Sequence, residues 1–267
     1  MTTHSSGSGD IDRSLELMWR PEGRPARGPK PGLTLSAIVG AAVALADREG
    51  LAALSMRRVA AELGVGTMTL YRYIPGKSEL LDLMLDHVVA PVTKPEGGDW
   101  RAALERIALE TFELHLAHPW LLQVNQARPL LGPNGLLGFE YFLAALDGLG
   151  LTGRERVNVI MTVDAYVSGL SRHYVMLRQA RAESQLTDEE FWGAQGPLIA
   201  DALNSGRYPH VMSLPEDVFE GTPEEILRFG IDRVLDGVAA FLAALPADRP
   251  EERPGWCEEP ARDSGSA

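Results

Sequence analysis

The sequence predicts an all-α chain, a small three-helix head followed by a larger helical body. Three observations point to it. Apolar residues recur at spacings of three and four, no stretch alternates as a half-buried strand does, and glycine or proline stands where the periodicity stops. Hydrophobic residues make up 45% of the 267, enough for a sizeable core, and 23% are charged. No run of 18 or more uncharged apolar residues occurs, so no membrane-spanning helix is expected. The opening MTTHSSGSGD lacks the basic-then-apolar order of a secretory signal. The single cysteine, Cys257, has no internal partner, which suits a reducing, cytoplasmic setting.

Residues 1–32 are rich in Ser, Gly and Pro and read as a basic arm, mostly disordered, with room for a short helical piece near SLELMW. Within it GRPARGPKPG (23–32) cannot form a helix. It is either an extended contact to a phosphate backbone or minor groove, or a solvated linker.

The head occupies residues 33–80. Its first helix starts after Thr34, a capping residue, turns Ile38, Ala41, Ala42, Leu45 and Ala46 inward, and stops at Gly50. Ser55 caps the second, MRRVAAEL, with Val59, Ala60 and Leu63 inside and Arg57 and Arg58 outside. GVG makes a tight turn, and TMTLYRYI forms a third helix of about two turns, broken by Pro75 and Gly76. A fourth, strongly apolar helix opens with KSELL.

Helix, glycine turn and short helix is helix-turn-helix spacing, in which the second helix enters the major groove of DNA. Leu70 and Ile74 read as core. Thr67 and Thr69 offer hydrogen bonds to base edges and Met68 a contact to a thymine methyl, while Tyr71, Arg72, Tyr73 and Lys77 suit phosphates. Charge agrees: residues 13–79 hold ten Lys/Arg against six Asp/Glu, although the whole chain carries −12. A basic head on an acidic body is expected of a DNA-binding module joined to a non-binding domain.

LSMRRVAAELGV, TLYRYI and GKSELL stand at the spacing used by the TetR family of bacterial repressors, and the 48 residues from Thr34 to Leu81 resemble its DNA-binding domain. The resemblance adds Ser55 and Arg57 to the DNA-contact positions and supports Thr67, Met68, Thr69, Tyr71, Arg72, Tyr73 and Lys77. Gly66 departs from the family, which often has a polar cap there.

The body, 81–246, reads as helices at about 100–117, 119–127, 134–148, 152–181, 187–203 and 223–245, with a Gly/Pro/Ser-rich loop at 204–221 and a disordered tail at 247–267. Val163, Val167, Leu170, Tyr174 and Leu177 form one stripe, and Leu227, Ile231, Val234, Val238, Phe241 and Leu245 another. The resemblance implies a ligand-binding and dimerisation domain whose last two long helices build a four-helix dimer interface. Periodicity alone allows the stripes to be the core of a monomer instead. Helix order and QVNQARP (123–129) resemble the tetracycline-repressor branch, where a metal-ligating histidine stands at the position of Asn125. No metal and no cofactor are therefore expected. Trp120, Asn125, Phe139, Phe142, Met161, Tyr166, His173 and Met176 are the candidate lining of a mostly apolar effector pocket, each also readable as core or interface.

Catalytic readings are weak. His115 and His118 form an H-x-x-H pair without the further ligands a metal needs, and Asp164, Ser168 and His173 lack a nucleophile elbow. The expectation is a non-enzymatic, dimeric regulator of transcription that binds a double-stranded DNA operator and a small-molecule effector, without a membrane partner. A repressor is the leading form. An activator of the same fold, or a ligand-binding protein without DNA activity, stays open.

Overall fold

The computed structural model describes residues 4–20, 33–90, 99–215, 217, 218 and 220–246. The basic stretch 23–32 and the whole tail, 247–267, lie outside the described residues. Twelve α-helices, two short 3-10 helices and one pair of two-residue strands make up the regular structure among those described.

The head follows its capping residues. Helix α1 spans Ile11–Trp19, α2 Leu35–Glu49, α3 Met56–Glu62, α4 Thr67–Tyr71 and α5 Lys77–Val88. Thr34 caps α2 by accepting from the Ala37 N–H at 3.1 Å, and Ser55 caps α3 by accepting from the Arg58 N–H at 3.3 Å. Ile38, Ala42, Leu45, Val59, Leu70, Ile74 and Leu80 are sealed from solvent in one core. That core crosses residue 80: it takes the length of α5 to Leu85, and Trp120, Leu121 and Val124 from the body.

The body comprises α6 (Trp100–Ala117), α7 (Pro133–Ala145), α8 (Gly153–Ser184), α9 (Asp188–Gly193), α10 (Gly196–Asn204), α11 (Pro209–Met212) and α12 (Pro223–Ala243). Its core joins Leu104, Ala108 and Phe112 of α6 to Val163 and Val167 of α8 and Leu227, Ile231 and Leu235 of α12. Thr152 and Thr222 close capping boxes with Glu155 and Glu225, which fixes where α8 and α12 begin.

Several elements differ from the sequence reading. Residues 4–19 are folded: Asp10 caps α1, and Ser14, Leu17 and Met18 are buried against the head. Residues 119–127 hold a 3-10 turn, Pro119–Gln123, and then strand β2, Val124–Asn125, which pairs in parallel with β1, His4–Ser5. Strands of two residues are too short to show alternation. The helix expected at 187–203 is split at Gly193–Gly196, and the loop at 204–221 contains α11. The two apolar stripes pack largely against each other and α6 inside one chain. Val163, Val167, Leu227, Ile231 and Val238 of the stripes are core of the protomer, whereas Phe241 is 40% exposed.

Candidate functional site

The turn between α3 and α4 is shaped by its glycines. Gly64 has φ +64°, a left-handed conformation that favours glycine. Its N–H donates to the Ala61 carbonyl (3.1 Å) and the Val65 N–H to the Ala60 carbonyl (3.0 Å), a Schellman closure of α3. Gly66 caps α4 without a side-chain bond, as its departure from the family implied. Leu70 and Ile74, both 0% exposed, pin α4 to the head core.

Around that anchor, Met68 (76% exposed), Tyr71 and Arg72 stand free in solvent, and Thr67 and Thr69 are half-buried. Arg57 is exposed on α3 and, like Arg72, makes no ion pair among the described residues. Its neighbour Arg58 is bound to Glu49 at 2.7 Å, in a network that also joins Arg48 to Glu62 at 2.6 Å. The Ser55 oxygen is occupied as a cap, Tyr73 packs partly on the core, and Lys77 is half-buried, which lowers its pKa. Of the nine expected DNA-contact residues, Arg57, Met68, Tyr71 and Arg72 are thus the most accessible.

Between head and body the 3-10 turn forms a latch. Asp47 of α2 accepts from the Trp120 indole N–H at 2.7 Å and pairs with His118 Nδ1 at 2.7 Å through the same oxygen. Arg172 of α8 donates to the Leu122 carbonyl at 2.7 Å, and Asp86 of α5 accepts from the N–H groups of Asn134 (3.1 Å) and Gly135 (2.9 Å) at the start of α7. His115 turns elsewhere, to Ser171 Oγ at 3.1 Å. Burial, and then the charge of Arg172, push its pKa down to about 4. The two histidines of the H-x-x-H pair thus have separate partners, and no hydrogen bond joins Asp164, Ser168 and His173 among the described residues.

A cleft of about 950 Å³ opens between α8, the end of α6 and the start of α12. Leu116, Tyr174, Leu177, Ile226 and Phe229 give it apolar walls, and His173, Arg178, Arg181, Glu220 and Glu225 bring polar groups. Arg178 donates to the Leu116 carbonyl at 3.2 Å, and the Arg181 guanidinium is bound to Asp188. Of the eight residues expected to line a pocket, only His173 is here. Trp120 is corrected most fully: 1% exposed, it belongs to the head core, where its N–H needs Asp47. Tyr166 donates to the Ile226 carbonyl at 2.9 Å and so ties α8 to α12, and Phe142 packs on the body core. Asn125 sits in β2 and accepts from the Ala127 N–H, while Phe139, Met161 and Met176 face solvent. The sequence places Tyr174 and Leu177 in a stripe readable as dimer interface or protomer core, and Arg178, one turn past Tyr174, was the signal that this face is also polar.

The comparisons with known proteins agree with this geometry. Residues 38–84 match the model for bacterial regulatory proteins of the tetR family, and residues 91–242 that for the tetracyclin repressor-like C-terminal domain. The chain is 54% identical over 245 residues to the HTH-type transcriptional repressor DrrR1 of Streptomyces coeruleorubidus, across 91% of this chain and 90% of the relative. An HTH-type transcriptional regulator of Saccharopolyspora erythraea is 36% identical over 171 residues, 63% of this chain and 72% of its own. The Streptomyces coelicolor TetR family protein ActR, solved in complex with actinorhodin, has a TM-score of 0.62 at 27% identity, over 79% of this chain and 98% of ActR. No described helix is long and apolar enough to cross a membrane. With a head matched to one family model, a body matched to another over more than half of the chain, and a recognition helix presented on a sealed core, the chain belongs to the tetR family of bacterial transcriptional regulators.

Proposed function

We propose that the chain is a homodimeric repressor in the cytoplasm, which reads a palindromic operator through α4 and is released by a small, largely apolar molecule. The observation that carries the reading is α4 itself: an exposed row of Met68, Tyr71 and Arg72 held on the buried pair Leu70 and Ile74. Such a row has no structural use in the head, and its side chains match base edges and phosphates. The naming of DrrR1 as a repressor supports repression over activation.

Dimerisation has two supports. One five-residue helix reads too few base pairs for useful specificity, whereas two copies about 34–36 Å apart read a palindrome. Phe241 and Met161 (60% exposed) on the outer faces of α12 and α8, and Trp192 and Leu198 on α9 and α10, are large apolar groups exposed in the single chain. The effector site is the cleft beside α8, whose volume suits a molecule of drug size. ActR, of similar fold, binds actinorhodin. Release requires the effector to prefer the non-binding state, by about 5.5 kcal/mol for a complete switch.

A footprint on the DNA upstream of the gene and its neighbours, at moderate salt with competitor DNA, tests the reading. A protected palindrome is expected, with Thr67 and Met68 variants changing base preference more than affinity. Absence of protection there and in a genome-wide selection, using protein unfolded and refolded to strip bound small molecules, refutes it.

A further inference from the structure

The family model for the head begins at residue 38, yet a folded and anchored element precedes it. Helix α1 lies on α5 and β1 pairs with β2, so residues 4–20 touch both the helix leaving the head and segment 124–131 of the body. The anchor on α5 is a pair of buried carboxylates. Asp82, 1% exposed, accepts through Oδ1 from the Gly7 N–H (2.9 Å) and the Ser6 hydroxyl (3.3 Å), and through Oδ2 from the Ser14 hydroxyl (2.9 Å). Glu79 accepts from the Asp10 N–H at 2.8 Å. Among the described residues, every hydrogen bond to either carboxylate comes from this extension.

On the body side the Ser6 N–H donates to the Asn125 carbonyl (3.1 Å), and Ser6 Oγ accepts from the Leu130 N–H (3.3 Å). The Trp19 indole donates to the Leu131 carbonyl at 3.1 Å. The seat is tight at Gly9, where an added Cβ would lie 2.2 Å from Glu79 Oε1 and 2.9 Å from Ser78 Cβ.

We infer that residues 4–20 are a strap that fixes the angle of α5, and with it the head, against the body, and that Asp82 is the positioning residue to which the strap is bolted. Glu79 and Asp82 lie in the first two turns of α5, the helix that follows the recognition helix. A tilt of α5 there carries α4 with it. A carboxylate so buried is costly to leave without its donors, so detaching the strap favours a shift of α5 or the entry of water. The inference rests on the dimeric, palindrome-reading function: in a dimer the second half-site is engaged intramolecularly, and its effective concentration depends on how narrowly the spacing of the heads is held.

The test compares the full-length protein on two duplexes, one with the footprinted palindrome and one with a single half-site. Wild type, Ser14→Ala, Gly9→Val and Asp82→Asn are measured on both. The wild type is expected to favour the palindrome. The variants are expected to lose about tenfold there, equivalent to about 1.4 kcal/mol, and less than about twofold on the half-site. Ser14→Ala removes one bond with little change of shape, so the comparison stands even if Asp82→Asn does not fold. Equal losses on both duplexes overturn the strap, because the extension then only stabilises the head. No loss on either duplex overturns it as well. A wild type that does not distinguish the duplexes removes the dimeric reading and the strap together, whereas a preserved wild-type preference with unaffected variants removes the strap alone.

Discussion

Asp47→Ala takes away the one oxygen that receives both the Trp120 indole and His118. Trp120 is 1% exposed, so its N–H cannot turn to water, and an orphaned buried donor costs about 1–3 kcal/mol. The pair with His118 is partly solvated, with side chains 21% and 28% exposed, and adds about 0.2–1 kcal/mol. Against these stands a gain: Asp47 lies in the last turn of α2, where a negative charge opposes the helix dipole by about 0.3–1 kcal/mol. The last two terms nearly cancel, so the indole decides, and the net loss is about 1–3 kcal/mol. Trp120→Phe deletes the donor at the separate cost of a smaller ring in a packed core. In that background Asp47→Ala has no donor left to orphan and should cost almost nothing. Urea unfolding of the wild type, the two single variants and the double variant measures the difference as a coupling energy of about 1–3 kcal/mol. Additivity within about 0.5 kcal/mol would show that the latch contributes nothing to holding head and body together.

The remaining predictions concern the head and the buried histidine. Arg72→Ala should weaken operator binding and lower the slope of log affinity against log salt by about one, and an unchanged slope would take Arg72 off the phosphates. Leu70→Ala should cost about 2–5 kcal/mol in thermal or urea unfolding and abolish operator binding, while Leu70→Met should cost less than about 1.5 kcal/mol and retain it. His115 has a folded pKa of about 4, below its unfolded value of about 6.5. Between these pH values the unfolded chain binds a proton that the native chain refuses, so stability falls as pH drops from about 6.5 to 4, by about 3 kcal/mol at most. His115→Gln should remove most of that fall, and urea midpoints at pH 7 and 4.5 that drop as far in the variant as in the wild type would contradict a neutral, buried imidazole.

What the sequence discloses is local. Thr34 and Ser55 cap helices because the bond they make is to a backbone N–H three residues on, and the GVG turn announces itself through residues that tolerate its dihedrals. The recognition helix is legible for the same reason, since its exposed and buried positions lie within one short run. The cleft beside α8 is not, because it needs Leu116, Tyr174 and Phe229 brought together from three helices. Large side chains such as Trp120 and Tyr166 advertise size and not partner, and both had found partners inside the protein. The stripes on α8 and α12 show a similar limit: periodicity tells which face is buried, not what covers it. Helix α1 was legible only as a helical piece near SLELMW, and its docking was hidden because Ser14 finds its acceptor 68 residues downstream, at Asp82.

The buried carboxylates on α5 also bear on how this regulator can be taken apart. Family heads are natural candidates for grafting, so that one operator specificity is joined to another effector response. A graft cut at residue 33 would leave Asp82 and Glu79 without donors and would uncover the surface that Leu17 and Met18 fill. A graft that carried residues 4–20 would bring the head's own support but would still look for Asn125, Leu130 and Leu131 in the recipient. The transferable unit is therefore discontinuous: the first 90 residues together with the segment 118–131. Chimaeras that respect only the linear boundary should express as folded halves with a broken switch.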